Sequence, residues 1–405
     1  MSKVIQLAGK LRAVAPYIRT EDDAIELARV LAADIRSGSS IRDRQRLLPH
    51  NEMAMISQSG LFGVTVPADY GGAEISNPFL AEVVATLSEA DSSIGQIPQN
   101  HFYILEVLRL AGTEEQKRYF FTRALAGDHF ANALAERNGN AAGGISTRLV
   151  PDGPGFRISG QKYYSTGALF ADWVAVFSLN AEDRVVMAII SRDSEGLKIT
   201  DDWAGFGQRT TASGTVTFSN VYVAADSVVD YDKAFEQPTP LGSLGQLLHA
   251  AVDLGIARAA FADMIDFVKT RSRGNSNLAI EIASEDPLAI AKAGSIAVKI
   301  EAAAAVIERA GRLVDMAQVT PSAAAAVDAS IAVATAKILT TEAALEATNV
   351  LFELAGTSAT DESLNLDRHW RNARTHTVHD PVRWKHHAIG DYHLNGRLPK
   401  PNGQF

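Results

Sequence analysis

Two histidines and an aspartate lie close together near the C-terminal end, as His376-x-x-His379-Asp380. Histidine can move a proton near neutral pH, and its ring N–H can donate a hydrogen bond to developing negative charge. The three residues would also suit an iron site of two histidines and one carboxylate, but their near-consecutive spacing makes this the weaker interpretation. Asp380 precedes Pro381, a pair typical of a helix start, so we expect its carboxylate mainly to cap that helix. A capping carboxylate is stabilised in its charged form and is a poor base.

Composition excludes several other kinds of chemistry. The 405 residues include no cysteine, which excludes disulfides, thiolate nucleophiles, iron–sulfur clusters and cysteine zinc sites. The net charge of −9 disfavours a nucleic-acid partner. The first residues lack the apolar core of a secretion signal, and no apolar run approaches the ~18 residues that a membrane span needs. We therefore expect no membrane partner and a cytoplasmic location.

The spacing of apolar residues divides the chain into three regions, which predicts a multidomain α+β protein. Residues 1–127 are predicted to form a helical domain. Residues 128–240 show a period of two in the segments FRISG, WVAVFSL, RVVMAII and TVTFSNVYV, which predicts a β-barrel or β-sandwich domain. Residues 241–405 are helical again and rich in alanine. Long helices near 243–271, 287–317 and 321–355 predict a four-helix bundle.

Local signals predict where several helices begin and end. Thr113 opens the sequence TEEQ, which predicts a capping box with Gln116. Asp286-Pro287 and Thr320-Pro321 each combine a capping side chain with a proline, which favours a helix start. Gly356 is a plausible helix end.

Five segments, spread over essentially the whole chain, resemble acyl-CoA dehydrogenases in the same order and at similar spacing. They are GLFGVTVPADYGG (60–72), FANALAERNG (130–139), GQKYYSTGALFADW (160–173), GQRTTASGTVTFSNVYV (207–223) and LDRHWRNARTHTVHD (366–380). No single segment is decisive, but five in register are strong evidence. The resemblance implies the acyl-CoA dehydrogenase fold, with an N-terminal helical domain, a middle β domain and a C-terminal four-helix bundle, and it implies a bound flavin.

The last segment departs from the dehydrogenases at the position of their catalytic base. Where that family has Tyr-Glu-Gly, this chain has His379-Asp380-Pro381. The run is instead similar to the flavin-dependent monooxygenases of sulfur acquisition and desulfurisation, which include dibenzothiophene monooxygenase. This resemblance implies a two-component monooxygenase that uses reduced flavin and O2, through a flavin hydroperoxide, on a small sulfur-containing or apolar substrate.

The resemblance also assigns roles to individual residues. His101 and His379 would lie near the reactive edge of the flavin and handle oxygen, assisted by Ser165. The other flavin contacts would come from Asn132, Ala135, Thr166, Trp203 and His376, and the substrate contacts from Tyr103 and Tyr164. Each has an ordinary explanation as well. His101 would suit a buried structural role, Ser165 and Thr166 a turn, and the aromatic residues plain packing.

Altered motifs at the far end of the flavin site favour FMN over FAD. Acyl-CoA dehydrogenases contact the diphosphate and adenine with an Arg-x-x-Phe-Gly element and a Gly-Gly loop of a neighbouring subunit. Here the first becomes Arg271-Ser272-Arg273-Gly274 and the second lacks paired glycines. Arg271 and Arg273 would still suit a phosphate, because guanidinium offers a bidentate fork. The chain has no GxGxxG fingerprint for a nicotinamide domain, so a separate NAD(P)H:flavin reductase is expected as partner. The resemblance implies a homotetramer.

Two other functions remain open at this point. One is an acyl-CoA dehydrogenase or oxidase with Asp380 as the base, which predicts copurifying FAD that an acyl-CoA bleaches. The other is a flavin-binding protein without turnover, which predicts binding alone. A monooxygenase predicts weak binding of oxidised flavin and oxygen consumption that depends on reduced flavin.

Overall fold

The computed structural model describes residues 15–137, 144–274 and 280–399. The sequence predictions that concern the first 14 residues, and Asn138 and Gly139 of the second segment, lie outside these ranges. The N-terminal part is helical. Its helices are α1 (Glu21–Arg36), α2 (Ser39–Gln45), α3 (His50–Gln58), α4 (Asn77–Ala90), α5 (Ser92–Gln96), α6 (Gln99–Ala111) and α7 (Glu114–Leu125).

The middle part is a β domain built on one mixed sheet. Its strands are β1 (Phe130–Ala133), β2 (Arg148–Asp152), β3 (Gly155–Lys162), β4 (Trp173–Leu179), β5 (Val185–Ser191), β6 (Leu197–Thr200), β7 (Thr215–Ala224) and β8 (Val228–Asp230). The strand order is β6-β7-β3-β2-β4-β5-β8, and β1 pairs with β4 in parallel. In that register Asn132 lies opposite Ala175. The sheet therefore holds the start of the second resemblance segment in a fixed place.

The C-terminal part is a bundle of long helices. It consists of α8 (Leu241–Thr270), α9 (Pro287–Val319), α10 (Ala323–Ala355), α11 (Asp367–His376) and α12 (Val382–Asn395). One apolar core runs from the N-terminal helices into this bundle and includes Leu80 and Val84 of α4 and Leu247 of α8. Because the core is shared, the N-terminal helices and the bundle stabilise each other.

The predicted fold class and most predicted elements are confirmed. The segments WVAVFSL and TVTFSNVYV are β4 and β7, and the Thr113–Gln116 capping box is present. Asp286 caps α9, and Gly356 ends α10 with φ of 75°. The predicted start at Thr320-Pro321 is wrong, because Thr320 ends α9 and Ser322 caps α10 by accepting a hydrogen bond from the Ala325 N–H. The domain boundaries at 127/128 and 240/241 stay predictions.

Helix α10 has the length and composition of a membrane span, which the sequence analysis did not anticipate. Half of its apolar window is buried in the protein, where α10 packs against α8 and α9. A core helix of a bundle passes the same test of composition. Its packing identifies α10 as such a core helix.

Two glycines within long helices test how closely the bundle packs. A Cβ at Gly255 of α8 would lie 2.5 Å from the Ala85 carbonyl oxygen and 2.5 Å from the Ser88 Cβ of α4, whereas a Cβ at Gly294 of α9 would meet nothing within 4 Å. We expect Gly255→Ala to destabilise the protein by about 1–3 kcal/mol, because α4 must move. Gly294→Ala should stabilise it by up to about 1 kcal/mol, because alanine favours the helix. Thermal unfolding midpoints measure both, and a lower midpoint for Gly294→Ala than for Gly255→Ala would contradict this packing.

Candidate functional site

The three parts of the chain meet at Gln208, in the loop between β6 and β7. The Gln208 backbone N–H donates to Asn372 Oδ1 of α11 at 2.7 Å. Its side-chain oxygen accepts hydrogen bonds from the hydroxyls of Ser92 and Ser93 of α5, at 3.0 and 3.1 Å. Trp203 Nε1–H donates to the Gln208 carbonyl oxygen at 2.8 Å. We call this region, bounded by α5, the turn 163–167, the loop 203–214, α8 and α11, the three-domain junction.

The turn after β3 forms one wall of the three-domain junction. The Ser165 N–H donates to the Gly214 carbonyl oxygen, and the Gly167 N–H donates to that of Thr211. Gly167 has φ of 78°, and a Cβ there would lie 2.8 Å from the Ile97 side chain, so glycine is needed for this close approach. The Thr166 hydroxyl is hydrogen-bonded to that of Ser213 at 2.7 Å. The turn is thereby fixed both within the β domain and against the end of α5.

Several buried polar atoms on the elements around the three-domain junction have no hydrogen-bond partner within the described residues. They are Gln96 Oε1, Asn132 Oδ1, Ser165 Oγ and Gln246 Oε1. Leaving such atoms unpaired costs about 1–3 kcal/mol each, so a ligand that satisfies them is favoured. A flavin ring fits this set, because its polar edge offers donors and acceptors to hydroxyl and amide groups. Ala135 lies at the end of this wall, where its carbonyl oxygen accepts from the Tyr163 N–H at 2.8 Å.

A network of buried charged and polar side chains lies beside the three-domain junction. His249 Nδ1 lies 3.1 Å from His376 Nε2, and His376 Nδ1 lies 2.5 Å from Asp253 Oδ1. Lys337 Nζ of α10 donates to Asp253 Oδ2 at 2.5 Å, and the Thr341 hydroxyl donates to the same oxygen at 2.9 Å. All five residues are buried. Burial alone would raise the pKa of Asp253, but Lys337 and His376 lower it to about 2.

The network leaves its histidines neutral at pH 7. Burial lowers the pKa of His376, although Asp253 opposes this, and burial together with His379 lowers the pKa of His249 well below its ordinary value. Both ring nitrogens of His376 are engaged by Asp253 and His249. His376 is therefore placed beside the junction without a ring nitrogen left for a direct flavin contact.

His379 stacks on this network. Its ring centroid lies 4.3 Å from that of His249, with an angle of 30° between the rings. Burial, followed by the effects of His376 and Lys337, lowers the pKa of His379 to about 4. His379 is exposed to solvent, whereas His249, His376 and Asp253 of the network are buried. His379 is therefore neutral near pH 7.

Asp380 does not cap α12. The helix begins after Pro381 and has no side-chain cap, and Asp380 Oδ2 instead forms a 2.7 Å ion pair with the buried Lys385 Nζ. The predicted capping role is therefore wrong, because the carboxylate turns toward a charged partner one turn further along the chain. Within the described ranges there is no cluster of three histidine, cysteine or acidic side chains that could hold a metal ion, so the iron-site interpretation has no structural support.

The structure does not pair His101 with His379. His101 is fully buried, with Nε2 2.8 Å from the Phe62 carbonyl oxygen and Nδ1 accepting from the Phe130 N–H at 3.2 Å. Gln99 and Tyr103 approach Gly245 of α8 from the opposite face of α6. Both ring nitrogens of His101 thus connect the helical domain to β1, which corresponds to the structural explanation considered from the sequence.

The aromatic residues assigned to the substrate have different environments. The Tyr103 hydroxyl is 2.6 Å from that of Tyr231, and its ring packs over Gly245. Tyr164 has φ of 58° and an exposed ring, which contacts the rings of Tyr163 and Trp203. Tyr164 and Trp203 therefore flank the turn that carries Ser165, whereas Tyr103 lies on the α8 side.

Arg271 and Arg273 lie far from the three-domain junction within one chain. Both are exposed and follow the C-terminal end of α8, and the helical rise places Arg271 about 33 Å from His249. Arg273 lines a surface cavity of 540 Å³ together with Asp286, Lys292 and Glu353. A contact with a flavin at the junction would therefore require a second subunit.

Sequence reasoning missed His249, Asp253, Lys337 and Gln208. A usable signal existed, since His249 and Asp253 are spaced by four in a largely apolar stretch of α8 and therefore share one face. Gln208 has no such signal, because its role depends on contacts with α5 and α11.

The chain matches family models in three consecutive parts. They are the N-terminal domain of acyl-CoA dehydrogenase over residues 25–128, the middle domain over 131–221 and the C-terminal domain over 247–384. Together with the order of domains, these matches define the class of fold. The chain belongs to the acyl-CoA dehydrogenase family.

Similar proteins lie on the monooxygenase branch. Dibenzothiophene monooxygenase of Rhodococcus qingshengii is 31% identical, with 98% of this chain and 99% of the relative covered. The probable FMNH2-dependent monooxygenase SfnC of Pseudomonas putida is 30% identical, with 96% and 99% covered. The crystal structure of FMN-bound TdsC from Paenibacillus sp. A11-2 superposes with a TM-score of 0.90 at 30% identity, covering 94% of this chain and 100% of TdsC. From the same segments of the sequence we also predict a close resemblance to SfnB, an oxidoreductase of sulfur acquisition.

The role of His101 can be tested through the pH dependence of stability. Burial lowers the pKa of His101 to about 3, so the folded state resists protonation while the unfolded state titrates near 6.5. Its contribution is present above pH 6.5 and is lost as pH falls toward 3. We expect His101→Phe to be less stable than the wild type at pH 7. The difference in free energy of unfolding between the wild type and His101→Phe should decrease by about 2 kcal/mol as the pH falls from 6.5 to 5. Urea unfolding at several pH values measures this, and a difference independent of pH would contradict it.

Proposed function

We propose that this protein is an FMN-dependent monooxygenase that acts on a small sulfur-containing or apolar substrate. The observation that carries the proposal is the ring contact between His249 and His379, together with the buried, unpaired polar atoms of Asn132 and Ser165. The names of the relatives support the same reaction class. The name of dibenzothiophene monooxygenase also favours a sulfur-containing substrate.

FMN would be held by the residues around the three-domain junction. Asn132 and Ser165 would hydrogen-bond the polar edge of the ring, and Thr166, Ala135 and Trp203 would shape the wall beside it. When bound in its reduced form, FMN supplies the electrons that activate O2. The protein contributes position, hydrogen bonds and exclusion of bulk water. Tyr164 and Tyr103 would lie on the substrate side of the same site.

His379 is the residue proposed to move a proton. It is neutral near pH 7 and exposed to solvent, so a ring N–H can donate to an oxygen that gains negative charge. His101 is proposed to connect two domains rather than to handle oxygen, because both its nitrogens bond to backbone groups. His376 is proposed to act through His249.

An acyl-CoA dehydrogenase is the second candidate, and the geometry speaks against it. That reaction requires a carboxylate free to remove a proton, whereas Asp380 is paired with the buried Lys385. A buried ion pair keeps a carboxylate charged and in place, and removing it from its partner is costly. Asp380 is therefore proposed to anchor α12 to the loop that carries His379.

The wider assembly is also a proposal. A homotetramer would allow Arg271 and Arg273 of one subunit to reach the FMN phosphate of another, because within one chain they lie too far away. A separate NAD(P)H:flavin reductase would supply the reduced FMN, which agrees with the FMNH2 dependence named for SfnC. We also propose a cytoplasmic location.

The proposed reaction is tested by mixing the protein with chemically reduced FMN and ¹⁸O2 in the presence of sulfides, sulfones and small aromatic compounds. One oxygen atom should appear in a product and the other in water. The ratio of product to reduced FMN consumed measures coupling. Hydrogen peroxide alone, in the amount formed without protein, would contradict the proposal; a subsequent bleaching of bound FAD by acyl-CoA would favour the dehydrogenase.

The role of His379 is tested by comparing His379→Ala with His386→Ala, an exposed histidine on α12. We expect His379→Ala to reduce product formation by roughly 10²-fold, the size of effect typical of a proton-transfer residue. His386→Ala should retain wild-type activity. Equal activity of the two variants would show that His379 does not take part in the reaction.

The flavin contact of Ser165 is tested by titrating FMN against Ser165→Ala and Ser178→Ala. Both serines are buried without a partner for their hydroxyl in the described part of the chain, but Ser178 lies within β4. Loss of one hydrogen bond should weaken FMN binding by about three- to tenfold for Ser165→Ala. Ser178→Ala should bind like the wild type, and a loss of equal size in both variants would point to a general effect on the β domain instead.

A further inference from the structure

The arrangement of Asp253, His376 and His249 determines where their protons lie. Asp253 is ionised and therefore only accepts, so the 2.5 Å contact requires a proton on His376 Nδ1. Since His376 is neutral, its Nε2 is an acceptor, and the 3.1 Å contact requires a proton on His249 Nδ1. His249 Nε2 is then left as an unprotonated nitrogen.

The charge of Asp253 determines which atoms donate and which accept in the hydrogen bonds that link Asp253, His376 and His249. Lys337 Nζ and the Thr341 hydroxyl both donate to Asp253 Oδ2, which leaves Oδ1 for His376. The Asp253–Lys337 pair is neutral as a unit, so it can stay ionised in the interior. Three further groups lie against the histidines, namely His379 and Asp380 of the loop and Lys385 of α12. Lys385 is paired with Asp380, so they add no net charge.

Resting on the proposed function, we propose that Asp253 and His376 are positioning residues that fix the proton of His249 on Nδ1 and so present its Nε2 as a hydrogen-bond acceptor beside His379. The two stacked imidazoles then have different tasks. His249 accepts a hydrogen bond from a ligand N–H or O–H that binds beside the two rings, while His379 donates one.

Two observations support the placement of the acceptor. Within the described ranges, the ring of His249 makes no hydrogen bond other than that to His376, and its side chain retains a small exposed surface of 7%. The rings of His249 and His379 contact each other at 4.3 Å with a tilt of 30°, and among the described residues no hydrogen bond joins them. The acceptor is therefore available to a ligand rather than to its neighbour.

The tautomers can be read directly by ¹⁵N NMR of the flavin-free protein with ¹⁵N-labelled histidine. The wild type should show a protonated Nδ1 and a bare Nε2 for both His249 and His376. The double variant Asp253→Asn, Lys337→Met removes the ion pair while Thr341 still donates to the amide oxygen. The amide NH2 then faces His376 Nδ1, and both histidines should change to the Nε2-protonated tautomer.

The matched control is Asp263→Asn. Asp263 of α8 accepts from His369 of α11 at 2.7 Å, so it is an aspartate–histidine pair between the same two helices but outside this network. It should leave the His249 tautomer and the coupling unchanged. In the double variant, coupling should fall by roughly tenfold, as when partners that orient an active-site histidine are lost. FMN binding should change little.

A second variant tests the proposal independently, in case the double variant does not fold. His249→Asn keeps a donor near the position of Nδ1, and so keeps the bond to His376, but it removes the Nε2 acceptor. Its coupling should also fall by roughly tenfold. A protonated His249 Nε2 in the wild type would overturn the proposal, as would unchanged coupling in His249→Asn. If the wild type shows the expected tautomers but forms no product, the proposed function fails and the assignment of the protons stands.

Discussion

The ion pair between Asp253 and Lys337 is the interaction on which the proposed site depends. It joins α8 to α10 in the interior of the bundle, and Asp253 also holds His376 of α11. A buried aspartate without its partner would be strongly unfavourable, so the three helices can pack in this way only when the pair is intact. The orientation of His376, His249 and finally His379 follows from that single charge.

The second requirement is that three separately folded parts meet at one place. Gln208 of the β domain is hydrogen-bonded to Ser92 and Ser93 of the first helical part and to Asn372 of the bundle. These hydrogen bonds fix the positions of the three domains relative to one another at this point. Asn372 precedes His376 by one helical turn. The same helix α11 therefore ties the β domain to the histidine network, and a shift of the β domain would be transmitted to both walls of the site.

Sequence periodicity was sufficient for the fold, because helices and strands bury one face with a fixed spacing. The resemblance to a known family pointed to His379, Ser165 and Asn132, and their roles stay predictions; in the structure Ser165 Oγ and Asn132 Oδ1 are buried without a partner among the described residues, and His379 contacts the ring of His249. It could not reveal that His101 bonds to backbone groups of Phe62 and Phe130, since those partners come from distant segments. The predicted capping role of Asp380 is wrong for a local reason. The Asp-Pro pair is typical of a helix start, but the carboxylate forms an ion pair with the buried Lys385 instead.

If the three-domain junction is the flavin site, reduced FMN should bind there with His379 close to the ring. A crystal structure of the complex with reduced FMN, prepared without oxygen, tests this most directly. The polar edge of the ring should hydrogen-bond Ser165 and Asn132, with His379 and His249 within hydrogen-bonding reach of the space beside the ring. A flavin bound elsewhere on the chain, or His379 turned away from a flavin bound at the junction, would contradict it.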